Sequence, residues 1–315
     1  MPVFNIHHVT KYEYDRPVKE SVNEIRIYPA PNSEQEVLYH DVAVSGNPDI
    51  MIINDYWTNR VGMFNLITPH RELIVESKLI VRTLRSDALP HQENENFEML
   101  NDEVNNNLSL LELCCIEDPS LANEIKAIIT EINYSGRSVA GFVYACSQYI
   151  YNRFRYIKGI TNIQTTLDDI LKLRSGVCQD FAHIMLEILR NAHIPSRYIS
   201  GYICPNKNGM RGEGATHAWV EAWIPNNGWT GIDPTNNAWV TANHVKLAVG
   251  RNFNDCSPVK GTFKGPAKQS LSVFVSVGYE DGQKFEDITK VKMEKLSEDS
   301  DDPDILASFA GQQQQ

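Results

Sequence analysis

The sequence contains no uninterrupted apolar run of 18 residues, so it offers no candidate for a membrane-spanning helix. Residues 1–5 lack the basic and apolar regions of a secretory signal peptide. The chain has no glycine-rich phosphate-binding motif and no Cys-x-x-Cys pair, which disfavours nucleotide and zinc sites. Its 29 Lys and Arg are outnumbered by 40 Asp and Glu, which argues against a nucleic-acid partner. We therefore expect a cytoplasmic protein without cofactor, metal, nucleic-acid partner or membrane partner.

The sequence also contains few cysteines for its length. A chain of 315 residues can bury a full core without disulfides, so its six cysteines are expected to be reduced thiols. Nothing in the composition indicates the oligomeric state.

The acidic excess is concentrated in two stretches. Residues 86–118 carry 9 acidic and no basic side chains, and residues 280–315 carry 10 acidic and 4 basic ones. Residues 119–279 carry 16 basic and 10 acidic side chains, a balance of +6. This distribution predicts a solvated acidic connector at 86–118 and an acidic, partly disordered tail at 281–315.

The remaining chain divides into a β-rich part and a mixed part. Residues 1–85 contain short alternating runs separated by turn residues, which is typical of an antiparallel β-sandwich. From Asp118-Pro119, a favourable helix start, apolar residues recur at helical spacing. Strands are then predicted at 197–204, 216–224, 229–233 and 272–279. Helices followed by antiparallel strands indicate an α+β core over 119–280.

Cys178 is the first candidate for a chemical role. It follows a Ser-Gly break and opens a predicted helix, where unpaired N–H groups and the helix dipole favour a thiolate. Its own backbone N–H is a candidate donor to an oxyanion. By itself this is weak support, because most cysteines in intracellular proteins are inert packing groups.

His217 lies on a predicted strand with two distinct faces. Its own face is polar and aromatic, and the opposite face is small and apolar: Ala218, Val220, Ala222 and Ile224. We expect the small face to pack against a helix, which leaves the His217 face for a site. A lone strand histidine is nevertheless more often a structural residue.

Asp233 ends the next predicted strand, after a turn at 225–228. A four-residue loop would pair Val220 with Asp233 and so place the carboxylate on the face away from His217. A contact with His217 requires a bulge or a different loop length. The sequence leaves the two registers open.

Three segments contain these residues, in the order cysteine, histidine and aspartate along the chain. They resemble the motifs of the transglutaminase-like superfamily, in particular its bacterial cysteine proteases. They are Gly-Val-Cys-Gln-Asp-Phe-Ala-His at 176–183, Thr-His-Ala-Trp-Val-Glu-Ala-Trp at 216–223 and Gly-Trp-Thr-Gly-Ile-Asp-Pro-Thr at 228–235. Residues 8–14 and 26–29 resemble the β-rich N-terminal region that accompanies many such domains. The resemblance implies an α+β, papain-like or transglutaminase-like core, with helices packed on an antiparallel sheet, after a β-sandwich-like domain.

The resemblance also implies roles for three residues. Cys178 would be the nucleophile, His217 the base and then the acid, and Asp233 the residue that orients the imidazole. The expected function is a thiol-dependent hydrolase, a peptidase or amidase, acting on peptide or protein amides through a thioester. Val177 and Gln179 stand where animal cross-linking transglutaminases carry Gln and Trp, which favours hydrolysis over calcium-dependent cross-linking.

Two alternatives stay open. One is an acyltransferase that passes the acyl group to a primary amine, and the other is a non-catalytic protein-binding module on the same fold. Candidates for completing the oxyanion hole or lining the cleft are Tyr156, Gln179 and Trp219, although core packing explains Trp219 equally well and explains Tyr156 better.

Overall fold

The structure is a computed structural model. It describes residues 1–85, 95–133, 135–161, 165–204, 210–212 and 215–280, together with two short strands at 294–296 and 307–310. The predicted tail at 281–315 lies outside the described residues except for those two strands. Within the described ranges, no helix combines the length and the apolar character needed to cross a bilayer.

The chain begins with six strands. They are β1 (Val3–Val18), β2 (Ser21–Ile25), β3 (Gln35–Val44), β4 (Met51–Asn54), β5 (Arg60–Leu66) and β6 (His70–Thr83). Buried residues alternate with more exposed ones along β6, which is the pattern of a strand with one face in a core. The predicted β-rich region is thus observed over 3–83.

Helices and two short strands follow. They are α1 (Phe97–Asn105), α2 (Leu108–Glu112), α3 (Ala122–Ile132), α4 (Val139–Arg153), β7 (Arg155–Tyr156), α5 (Leu167–Leu173), β8 (Ser175–Gly176) and α6 (Cys178–Asn191). The predicted start at Asp118 is confirmed: its carboxylate accepts from Ser120 N–H and caps a 3₁₀ turn that leads into α3. The helices share one apolar core with the small face of a later strand.

The connector prediction for 86–118 differs from the structure over 97–112. Helices α1 and α2 occupy this stretch, and Leu100, Val104 and Leu110 are buried in the helical core. Asn and acidic residues lie on the exposed face of α1, and Asn96 and Asn107 are the N-caps of the two helices. On α2 the exposed residues include Leu108 and Leu111. Composition therefore hid two short helices, of which α1 is amphipathic.

The core sheet comes next in the chain. Its strands are β9 (Ser196–Ile203), β10 (Ala215–Ile224), β11 (Gly228–Asp233), β12 (Ala238–Trp239) and β13 (His244–Gly250), in the order β12-β11-β10-β9-β13. A short helix α7 (Phe253–Cys256) follows. Helix α6 packs against β10 and β9.

The last strands return to the N-terminal region. They are β14 (Val259–Phe263), β15 (Gln269–Tyr279), β16 (Glu294–Leu296) and β17 (Ala307–Ala310). They complete two five-stranded sheets, β16-β15-β1-β6-β3 and β17-β14-β2-β5-β4. Residues 259–279 were expected in the catalytic core, but β14 pairs with β2 and β15 with β1. Each sheet of the sandwich is thus completed by strands that lie more than 200 residues away in the chain.

The sandwich is fixed to the core sheet through β13. Two amide side chains substitute for a neighbouring strand there: Gln35 pairs with both backbone groups of Lys246, and Asn59 with both of Val249, at 2.7–2.9 Å. A shared apolar cluster joins Phe4 and Leu79 to residues of β9 and β13. The edge of the core sheet is thereby covered rather than left exposed.

Candidate active site

Cys178 is the first residue of α6 and is completely buried. The helix begins after the short strand β8, which pairs in parallel with β7. Asp180 reaches back to the helix start, where its Oδ2 accepts from Val177 N–H at 2.8 Å. The first N–H groups of a helix have no intrahelical acceptor, so the Cys178 thiol lies at the positive end of the α6 dipole.

His217 is carried by β10, and the predicted division of this strand into two faces is confirmed. Ala218, Val220, Ala222 and Ile224 are fully buried in the same cluster as the α6 side chains. On the opposite face Glu221 binds Arg197 and Lys246, and His217 is completely buried.

The hairpin between β10 and β11 has the register that joins His217 to Asp233. Val220 pairs with Ile232 and Ile224 with Gly228, so the loop holds three residues, Pro225–Asn227. A β-turn closes it, with Asn227 N–H donating to Ile224 O at 3.0 Å. Its Asn226 has a φ of 65°, which asparagine tolerates better than most residues. This one-residue difference from a four-residue loop brings Asp233 to the His217 face.

The imidazole and the carboxylate form a direct hydrogen bond. His217 Nε2 donates to Asp233 Oδ2 at 2.8 Å, and both side chains are inaccessible to solvent. The other ring nitrogen, Nδ1, is buried without a hydrogen-bonding partner at standard distances in the described part of the chain. Because Asp233 occupies Nε2, Nδ1 is the nitrogen left to face the Cys178 thiol.

The electrostatics of the three residues are coupled. Burial alone would lower the pKa of His217, but the Asp233 carboxylate and the Cys178 thiol outweigh it and raise the pKa to about 10. Burial alone would raise the pKa of Asp233, but the charge and hydrogen bond of His217 hold it well below its usual range. The site therefore stabilises an imidazolium between an anionic carboxylate and a thiol.

Asp233 also has partners that the sequence did not predict. Asn236 Nδ2 donates to its Oδ2 at 2.7 Å, and Thr235 N–H donates to its Oδ1 at 2.9 Å. His244 Nε2 lies 3.4 Å from the same Oδ2. Asn236 belongs to the turn that follows Asp233, whereas His244 opens β13; neither has a spacing that would reveal its partner.

Asn236 further connects Asp233 to the segment that precedes β10. Its side-chain amide pairs with the backbone of Arg211, accepting from N–H at 2.7 Å and donating to O at 3.2 Å. The next residue, Gly212, has a φ of +72°, and a Cβ there would lie 3.4 Å from His217 Nδ1. The same Cβ would lie 3.5 Å from the Tyr156 hydroxyl. The backbone of Gly212, the imidazole of His217 and the hydroxyl of Tyr156 therefore lie close together.

The three supporting candidates have different outcomes. Tyr156 is brought to the site: besides its approach to Gly212, burial and then the Cys178 thiol raise the pKa of its hydroxyl. Gln179 is half-buried in the first turn of α6, beside the nucleophile. Trp219 is fully buried among Ile199 and other residues, and the centroid of its ring lies 6.4 Å from that of His217.

The chain contains five cysteines besides Cys178. All six are free thiols. Burial raises the pKa of four of them: Cys114, Cys146, Cys204 and Cys256. Cys115 is exposed, outside the helical core.

In the described ranges, one group of side chains has ligand atoms close enough for a metal ion: His217, Asp233 and His244, within 4.8 Å of one another.

Two family models match the chain. That of the transglutaminase-like superfamily matches residues 126–234, which include Cys178, His217 and Asp233. That of the bacterial transglutaminase-like N-terminal region matches residues 4–82.

Individual proteins resemble the chain over different lengths. "Uncharacterized protein ML0607" of Mycobacterium leprae is 32% identical over 285 residues, 86% of this chain and 96% of that protein. "Protein-glutamine gamma-glutamyltransferase" of Pseudomonas aeruginosa is 41% identical over 75 residues, 22% of this chain and 11% of that protein. A crystal structure described as "a Putative Cysteine Protease from Cytophaga hutchinsonii" has a TM-score of 0.69 at 20% identity, covering 90% and 92% of the two chains. The predicted α+β, transglutaminase-like fold is confirmed.

Proposed function

Because the chain belongs to the transglutaminase-like superfamily, whose members are typically enzymes, we propose that it is a thiol-dependent hydrolase of peptide or protein amides. The observation that supports this most is the contact of His217 Nε2 with Asp233 at 2.8 Å, which leaves Nδ1 for Cys178.

The reaction begins with the sulfur. The Cys178 thiolate attacks the carbonyl carbon, a C–S bond forms, and the carbonyl π electrons move onto oxygen. The Cys178 backbone N–H, at the start of α6, is the donor closest in the chain to this oxyanion. The Tyr156 hydroxyl, which approaches the same point as His217 Nδ1, is the proposed second donor.

His217 then acts as an acid. As the tetrahedral intermediate collapses, the C–N bond breaks and the proton on His217 Nδ1 passes to the leaving amine. Asp233 keeps the Nε2–H bond in place, so the ring presents Nδ1 throughout. Water next attacks the thioester, Nδ1 takes its proton, and the C–S bond breaks to release the acid and the thiolate.

A second function is favoured by one comparison. The Pseudomonas aeruginosa protein, which matches over 75 residues or 11% of its own length, is named as a glutamine gamma-glutamyltransferase. In that reaction a primary amine replaces water as the acceptor, with the same thioester intermediate. Hydrolysis and amine transfer thus differ only in the second half of the reaction.

Selective alkylation tests the nucleophile. Sub-stoichiometric iodoacetamide at pH 6, followed by mapping of the label, compares buried Cys178 with exposed Cys115. Accessibility alone favours Cys115, whereas an activated thiolate favours Cys178. We expect Cys178 to be labelled first and the Cys115→Ala variant to behave like wild type. Labelling that follows exposure would refute the proposal and favour the protein-binding module.

The acceptor is tested with a set of peptide amides, with and without a primary amine. We expect release of the free acid, lost in Cys178→Ala, with no amide formed from the added amine. Incorporation of the amine in place of water would establish the acyltransferase instead.

A further inference from the structure

The Asp233 carboxylate is shared by two histidines. His217 Nε2 lies 2.8 Å and His244 Nε2 3.4 Å from the same Oδ2 atom. All three side chains are completely buried. A triad needs only one of these contacts, so the second histidine calls for an explanation.

The protonation state of His244 follows from its other ring nitrogen. Thr241 N–H donates to His244 Nδ1 at 3.3 Å, within the turn that leads into β13. An Nδ1 atom that accepts a hydrogen bond carries no proton, and a neutral imidazole then holds its proton on Nε2. His244 is thereby held as an Nε2–H donor directed at Asp233.

This tautomer decides between two interpretations of the cluster. The ligand atoms of His217, Asp233 and His244 lie close enough for a metal ion. A metal, however, needs the lone pair of a histidine nitrogen, and on His244 Nε2 the proton occupies that position. The hydrogen-bonded interpretation satisfies both nitrogens of His244, and the metal interpretation satisfies only one.

We propose that His244 is a positioning residue that shares the Asp233 carboxylate with His217 and holds it where His217 turns Nδ1 toward Cys178. The proposal rests on the proposed thiol chemistry, in which His244 touches neither substrate nor sulfur. Trp219 supports the arrangement, since its ring packs edge-on against His244 with centroids 5.2 Å apart. His244 thus adds a donor to the carboxylate from β13, an edge strand of the core sheet that is separated from β11 by β10 and β9.

The charged groups around His244 agree with a neutral donor. Burial lowers its pKa, the Asp233 carboxylate raises it, and His217 and Arg85 lower it further. The groups facing it are therefore Asp233 from β11, His217 from β10 and Arg85 from the segment after β6. With an imidazolium at His217, a second positive charge on His244 is disfavoured.

The expected effect concerns the proton on His217. A hydrogen bond to a carboxylate stabilises its charge, so Asp233 with one donor fewer holds the imidazolium more strongly. We expect His244→Phe, which retains a ring but no donor, to raise the pKa of His217 by about half a unit or more. His244→Gln places an amide N–H near the Nε2 position and should keep that pKa within about 0.3 units of wild type.

The test is histidine-selective ¹⁵N NMR of the full chain, with His217 assigned from the His217→Gln spectrum. We expect His244 to be neutral and protonated on Nε2 from pH 6 to 8. His40→Phe, a hydrogen-bonded histidine of the sandwich, serves as the folding control. A charged or Nδ1-protonated His244, or an unchanged pKa of His217 in His244→Phe, would overturn the proposal.

Zinc chloride titration examines the metal interpretation with the same variants. We expect no stoichiometric zinc binding by wild type. Tight binding that His244→Phe abolishes would overturn the proposal in favour of a metal site. None of these measurements needs turnover. The proposed hydrolase function is tested by the alkylation of Cys178, so its failure can be distinguished from a failure of the role proposed for His244.

Discussion

The carboxylate of Asp180 should determine how firmly the nucleophile helix begins. It lies two residues after Cys178, is 6% exposed, and accepts from two buried donors. These are Val177 N–H at 2.8 Å and the Thr161 hydroxyl at 2.7 Å. A Cβ at Gly176 would come within 2.5 Å of the same oxygen, so the carboxylate can occupy this position only because residue 176 has no side chain.

The cost of removing it follows from these contacts. In Asp180→Ala two buried donors lose their acceptor, and each unsatisfied donor costs about 1–3 kcal/mol. Burial raises the pKa of Asp180, because it destabilises the charged carboxylate. Removing that charge therefore offsets part of the destabilisation. We expect a net destabilisation of about 2–4 kcal/mol. Asp180→Asn keeps an acceptor for Val177 without the charge and should stay within about 1 kcal/mol of wild type.

The measurement is urea unfolding with linear extrapolation, together with the rate of Cys178 alkylation. Asp168→Ala is the matched control, because this exposed first-turn carboxylate pairs with Lys172 across one turn of α5. Such a surface pair contributes less than about 0.5 kcal/mol. If Asp180→Ala unfolds within that margin of wild type, or if Asp180→Asn is equally destabilised, the reasoning about the helix start is wrong.

Two further predictions concern pH and packing. Because the pKa of His217 is raised to about 10, its contribution to stability is full below pH 6.5 and disappears as the pH rises through 10. We expect urea unfolding of wild type to show this loss and that of His217→Gln to lack it; equal pH profiles would contradict the assignment. Gly201→Ala places a Cβ 2.1 Å from Val245 O and should cost about 3 kcal/mol or more, whereas Gly278→Ala, in open space, should be nearly neutral in thermal unfolding.

The helix that carries Cys178 is predictable because its determinants are local. Helix α5 begins at Thr166, which forms a capping box with Asp169, and α6 begins at Cys178 after Gly176. The face of α6 with apolar spacing is buried against the sheet. Capping and periodicity involve residues within one or two turns, so they can be recognised without the rest of the chain.

The extent of the two parts could not be predicted in the same way. Strands β14 and β15 have ordinary alternating sequences, and nothing in them indicates pairing with β2 and β1 rather than with the core sheet. Pairing partners of this kind depend on contacts across most of the chain length. Helices α1 and α2 were obscured for a different reason, because Asn residues cap both helices and Asn and acidic residues form the outer face of α1.

The sequence by itself determined the order of the three motifs, the helix start at Cys178 and the two faces of the His217 strand, since each depends on neighbours in the chain. Only the tertiary structure decided that Asp233 reaches His217, because side chains alternate along a strand and one loop residue reverses the face. It also decided that Asn236 and His244 complete the carboxylate's surroundings. A buried charge must be satisfied by whatever donors the fold brings within reach, and donors from other strands have no fixed spacing in the sequence.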